Sequence, residues 1–337
     1  MRAEDRRRIG TGGAQALMLS QRYAAGQTAV AVQAAALVLL LWDSINPFAS
    51  IADQWSQLSE AALAALAEAQ RDAALMALAF VQAHADACGV PEDGDVPILD
   101  VESAVVGRSQ TGKPLADVLA KAEMQARSLI WGGMPPDQAW TRARSTLDTV
   151  VQTEVADAAR ETINTGMCLD DRITGYERLV TMPACDLCIV LAGRTYRYSE
   201  GFQRHPKCSG CVHVPTYHVP GHGVIGGVPS EHTPDGLAAA MSPDERRAVF
   251  GPEGAEAIEN GAGVSPIVQG RHSPPRRITR ADQATARRLG IEPGEINANQ
   301  QGRGRSLRWI RARWSHQPHL LREELARNGW LVEAARV

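Results

Sequence analysis

Apolar positions in the first half of the chain recur at the spacing of a helix. Residues 23–42 carry no charge, and 14–41 reads as one helix that Asn46-Pro47 then turns back. The next helix is predicted from Ser50 or Ser59 to Ala87. Within it Ala62, Leu66, Ala69, Ala73, Met76 and Phe80 follow at steps of four and three, which lays one narrow apolar stripe along its side. Alanine at half of these positions lets two helices approach closely, so the two segments predict an antiparallel hairpin. After a Gly/Pro/Asp loop at 88–95, residues 115–131 read as a helix with Pro114 at its start. Gly132 to Pro136 breaks it. Asp137 then caps a long helix out to about Gly166, with Trp140, Ala143, Leu147, Val151, Val155 and Ala158 on its apolar face. Arg142, Arg144, Asp148, Glu154 and Arg160 fall on the polar face.

From Met167 the texture changes. Residues 180–198 mix β-branched and aromatic residues with cysteines and predict a small β-rich knob; 216–234, rich in Gly, Pro and His, predicts an irregular linker. One or two short helices are expected over 242–263, and further helices over 307–314 and 320–332 inside a basic tail. The expected fold is mainly α: a helical body, a small zinc-binding knob that contains β structure, and an irregular basic C-terminal tail. The expected domains are a helical hairpin region at 1–100, a middle domain at 101–234 with the knob at about 178–220, and a C-terminal module with its tail at 235–337.

Composition narrows the class. The 337 residues are 44% apolar and 22% charged, which excludes a wholly disordered or collagen-like chain. Aromatic residues make up only 5%, in keeping with slim alanine-packed helices. The net charge of −3 conceals an asymmetry: from Arg271 onward 14 arginines face six acids, a local balance of +8. Only Lys113, Lys121 and Lys207 are lysines, so arginine supplies nearly all the positive charge. The uncharged run at 23–42 is interrupted by Gly26, Gln27, Thr28 and Gln33, and its continuous apolar part is short of the ~20 residues a bilayer requires. A buried helix and no membrane partner are therefore expected.

The strongest local chemistry is Cys185-Asp-Leu-Cys188 followed by His205-Pro-Lys-Cys208-Ser-Gly-Cys211-Val-His213. Cys-x-x-Cys is the spacing at which one tight turn presents two thiolates to one ion, and two such turns complete a tetrahedral Zn²⁺ site. Cys185, Cys188, Cys208 and Cys211 are the first ligand set, with His205 or His213 as alternatives for one place. Four thiolates would close the site, which makes the zinc structural. A knob with so few aromatics holds too little core to fold alone, and the metal would supply the difference.

Other signals are incomplete. Gly107-Arg-Ser-Gln-Thr-Gly112-Lys113 matches most of a phosphate-binding loop, but Pro114 stands where Ser or Thr should hold Mg²⁺. His205, His213, His218, His222 and His232 lie close in sequence, as in a zinc-supported HNH-like nuclease, yet no paired histidines precede a suitably spaced asparagine. No complete catalytic motif is present, and no enzyme activity is expected. Arg303, Arg305, Arg308, Arg311 and Arg313 interleave with Trp309 and Trp314, a pattern able to meet phosphates and stack on bases. The bland alternative is an amphipathic helix with its tryptophan buried.

Thr153-Glu154, Arg178, Cys185-x-x-Cys188, Ala192-Gly193, Tyr196, Phe202, His205-x-x-Cys208-x-x-Cys211 and Pro215 together resemble the MuF-like phage head morphogenesis family, in its actinobacteriophage type. That family reads H-x-x-C-x-C; here Ser209 and Gly210 separate the last two cysteines, which leaves open which of His205, Cys208 and Cys211 are ligands. Phe250-Gly251, Ala255, Ala257-Ile258, Gly261-Ala262 and Val268 resemble the module that follows the domain. The resemblance spans about 105–272. It implies a structural minor capsid protein of a tailed phage, in several copies inside the head near the portal and in the host cytoplasm during assembly. Implied partners are the portal protein and the major capsid protein, with packaged DNA on the basic tail. A zinc-supported DNA nuclease and a DNA-binding protein are the rival expectations.

Overall fold

The computed structural model describes residues 13–91, 99–197, 210–221 and 223–272, together with 283, 287, 310, 313–314 and 317–327. The chain divides into two compact units, Met1–Pro183 with Gly193–Ser230, and Ala184–Ala192 with Glu231–Val337.

In the first unit, α1 (Gly13–Asp43) and α2 (Ile51–Ala87) form the expected antiparallel hairpin. Ser50 caps α2 by accepting the Asp53 amide. Ala62, Leu66, Ala69, Ala73 and Phe80 of the heptad stripe are buried, and Met76 lies against Gly26 so closely that a Cβ there would sit 2.8 Å from its sulfur. Small residues therefore set the spacing of the two helices. Gln27 donates to the Ala73 carbonyl across the hairpin at 2.8 Å, and Tyr23 stacks flat on Phe80 at 4.2 Å. After the single turn α3 (Val101–Ala104), α4 (Leu115–Trp131) and α5 (Pro136–Leu169) complete the helical layer. Pro136 occupies the first turn of α5, so Asp137 sits inside the helix instead of capping it. Arg144 pins α5 to the end of α1 through a paired contact with Asp43 at 2.7 and 2.8 Å.

α1 is long and apolar enough to cross a membrane by length and composition. In this fold its Ala24, Ala31, Ala35, Val38 and Trp42 side is buried, while Val32, Leu37 and Leu40 are exposed.

A four-stranded antiparallel sheet follows α5 in the order β2-β1-β3-β4: β1 (Ile173–Val180), β2 (Thr195–Tyr196), β3 (Cys211–Val219) and β4 (Gly223–Gly226). Two expectations change here. The stretch 216–234 does not begin as an irregular linker. Its first part is a β-hairpin, closed by a turn in which Gly221 and Gly223 take φ of +82° and +74°. Nor is the β region short of core. Tyr176, Leu179, Val180, Val212, Val214 and Tyr217 are all buried, and β1 and β3 pack on α5. The residues that looked too few for an independent knob share the core of the helical body.

Gly175 marks the irregular register between β1 and β3, and a Cβ at this position would lie 2.4 Å from the Tyr196 carbonyl oxygen. Backbone cannot yield as a side-chain tip does. Gly175→Ala is therefore expected to destabilise the protein by about 1–3 kcal/mol, read as a lowered urea midpoint.

The second unit contains α6 (Asp186–Ile189), α7 (Pro234–Ala240), α8 (Pro243–Glu259), α9 (Val264–His272) and α10 (Pro318–Arg327). Ser242 and Glu245 close a capping box at the start of α8, which Gly251 and Pro252 break into two pieces. The tail is not wholly irregular. Ile310, Leu321 and Leu325 are buried with Ala257, Ala262 and Ile267, and Trp314 is partly buried against them.

Candidate functional site

The residues of interest in the first unit gather where α5 meets the sheet. Periodicity puts Glu154 and Arg160 on a solvated face of α5, but both are buried, as is Asp157. At Arg160 the face that periodicity turns outward is covered by β3, while Glu154 lies beside Gln70 of α2. Arg160 pairs with Asp157 at 3.0 Å and donates from Nε and Nη2 to the Cys211 carbonyl at 3.3 and 3.0 Å. One guanidinium thus ties α5 to the first residue of β3.

A ring stack crosses the sheet above this pair. Tyr176 on β1 lies 5.2 Å from the Tyr196 ring on β2 and 3.8 Å from the His213 ring on β3, nearly parallel to both. Arg178 is fully buried, pairs in register with His213, and sets its guanidinium 5.8 Å from the Tyr196 ring. Burial, with the positive charges of Arg160 and Arg178, pushes the His213 pKa well below the usual histidine value. His213 is therefore a neutral ring built into the stack. Sequence reasoning missed Asp157, Arg160 and Tyr176 as members of this seam. Arg178 and Tyr196 were visible in the family-like pattern, but nothing in the sequence says that they meet.

The first cysteine pair lies in the second unit. Cys185 precedes the single turn α6, and the Cys188 amide donates to its carbonyl at 3.1 Å. This i to i+3 turn is the local form a Cys-x-x-Cys ligand pair requires. One helical turn carries too little dipole to activate a redox thiolate. Cys188 is buried and Cys185 half-buried. Cys211 begins β3 in the first unit and is buried. Cys208 and His205 lie outside the described residues. Among the described residues no three His, Cys, Asp or Glu side chains come together as a metal-holding group.

Comparison of the chain with protein families, with curated proteins and with solved structures finds no match.

The phosphate-loop-like segment is a closed hairpin. Arg108 bridges to Pro114, the Ser109 amide donates to the Lys113 carbonyl at 2.9 Å, and the Gly112 amide donates to the Ser109 carbonyl at 2.8 Å. Buried Gln70 accepts the Gly107 amide at 2.9 Å and donates to the Arg108 carbonyl at 3.0 Å. Three loop amides, those of Gly107, Ser109 and Gly112, are thus engaged within the protein. Of the tail arginines, Arg313 is exposed and lies over the Trp314 ring at 5.4 Å; Arg303, Arg305, Arg308 and Arg311 lie outside the described residues.

Proposed function

We propose that the chain is a structural minor capsid protein of a tailed phage, of the MuF-like head morphogenesis type. One observation carries the reading most. Arg178, Tyr196, Cys211 and Pro215, which are scattered members of the family-like pattern, lie on adjoining strands of one sheet, and the sheet packs on the helix that bears Thr153-Glu154. Such a pattern has a common physical purpose: it builds and anchors one small sheet.

In this reading the helical body docks on portal or major capsid protein inside the head, in several copies per particle. Structural Zn²⁺ is held by Cys185, Cys188, Cys208 and Cys211, with His205 as the alternative. His213 is less suited as a ligand because its ring is part of the aromatic stack. The arginines from Arg303 to Arg313 face packaged DNA or an acidic protein surface.

Mass spectrometry of purified particles from a phage carrying this gene tests the assignment. The expected result is the chain at a few copies per DNA-filled head; its absence from such heads overturns the proposal. Purified full-length chain is expected to carry stoichiometric zinc, and Cys185→Ser to lose it. Plasmid DNA with Mg²⁺ or Mn²⁺ is expected to remain uncut. Nicking that disappears in His213→Ala would favour the nuclease instead.

A further inference from the structure

The segment Ala184–Ala192 is a short insertion into the second unit, since the chain on either side of it belongs to the first. One carboxylate in it reaches the end of α9. Asp186 stands between the two cysteines and is largely buried. Its Oδ1 accepts the Leu187 amide at 2.9 Å, which stiffens the turn from within. Its Oδ2 lies 3.2 Å from Nη1 of Arg271 and 3.0 Å from Nε2 of His272, both at the C-terminal end of α9. Nη1 of Arg271 also donates to the Val249 carbonyl on α8 at 2.7 Å. One guanidinium therefore joins α6, α8 and α9.

We infer that Arg271 and His272 are positioning residues for the Cys185–Cys188 metal half-site, acting through Asp186. The inference rests on the proposed zinc reading. A turn of four residues has few contacts of its own to fix its rotation. Anchoring the residue between the two cysteines fixes the orientation of both, in the way that second-sphere partners orient metal ligands. The coupling is reciprocal by linkage: a metal that holds the turn also holds the end of α9, and a firm α9 strengthens metal binding.

The test uses the full chain and Zn²⁺ alone, titrated against a chromogenic chelator, with hydrogen exchange followed at 184–192 and 264–272. In the unaltered chain zinc is expected to slow exchange in both segments. Arg271→Gln is expected to speed exchange at 184–192 in the metal-free protein and to weaken zinc binding about tenfold. His272→Gln, which removes one surface contact to the same oxygen, serves if Arg271→Gln does not fold, and should act in the same direction. An unaltered chain that binds no zinc defeats the metal reading and this inference with it. Normal zinc binding in the unaltered chain, with unchanged affinity and exchange in a folded variant, defeats the inference alone.

Discussion

Replacing Arg160 by methionine is expected to cost about 3–5 kcal/mol of stability, because Asp157 is then left buried without its guanidinium. Both side chains are almost wholly enclosed, at 4% and 3% exposure, so water cannot take over the lost bonds. The Cys211 carbonyl also loses the contacts from Nε and Nη2 that tie β3 to α5. Methionine keeps much of the volume, so the loss reports the polar contacts more than a cavity. The double change Asp157→Leu with Arg160→Met is expected to recover much of the loss, since neither charge of this pair then remains. Urea denaturation of the four proteins in a double-mutant cycle measures the coupling. A cost below about 1 kcal/mol for Arg160→Met would mean that the seam does not anchor the sheet.

Acidification is expected to destabilise the protein between pH 6.5 and 4, and His84 identifies one cause. Its ring is buried on α2 beside Phe80, with Nδ1 3.3 Å from the Tyr217 hydroxyl and 3.9 Å from the Cys88 sulfur. Burial lowers its pKa from 6.5 to about 4. In the unfolded chain the same group titrates near 6.5. The unfolded state therefore binds the extra proton first. The stabilisation is fully present above pH 6.5 and is lost as pH falls toward the folded value. From pH 7 to pH 5 this one histidine accounts for about 2 kcal/mol. His213, lowered by burial and by the positive charges of two arginines, adds a loss of the same sign. Denaturant midpoints measured across this range check the slope. His84→Gln is expected to flatten it by one proton, and an unchanged slope would overturn the assignment.

Helix positions were legible in the sequence because long apolar periods leave little choice. Residues 14–41 became Gly13–Asp43, 115–131 became Leu115–Trp131, and Ser50 caps α2 as one of its two candidate starts. Periodicity places residues on a face of a helix but does not say what covers that face. Glu154 and Arg160 looked solvated for that reason, yet both are buried, Arg160 against the first residue of β3. The hairpin at 211–226 was hidden in a Gly/Pro/His-rich stretch because its turn depends on glycine φ values, which composition does not encode. The tail looked like a charged arm because its arginines outnumber the few apolar residues that pack. Ile310, Leu321 and Leu325 suffice to join it to the second unit.

The sequence by itself determined the helical body, the alanine spacing of its hairpin and the Cys185–Cys188 turn, because each depends on residues near one another along the chain. Only the tertiary structure decided that the β region shares its core with α5, that Asp157 and Arg160 lie inside, and that Asp186 is clipped to α9. Those outcomes depend on which surfaces exclude water from which, and the partners lie from about 50 to 85 residues apart along the chain.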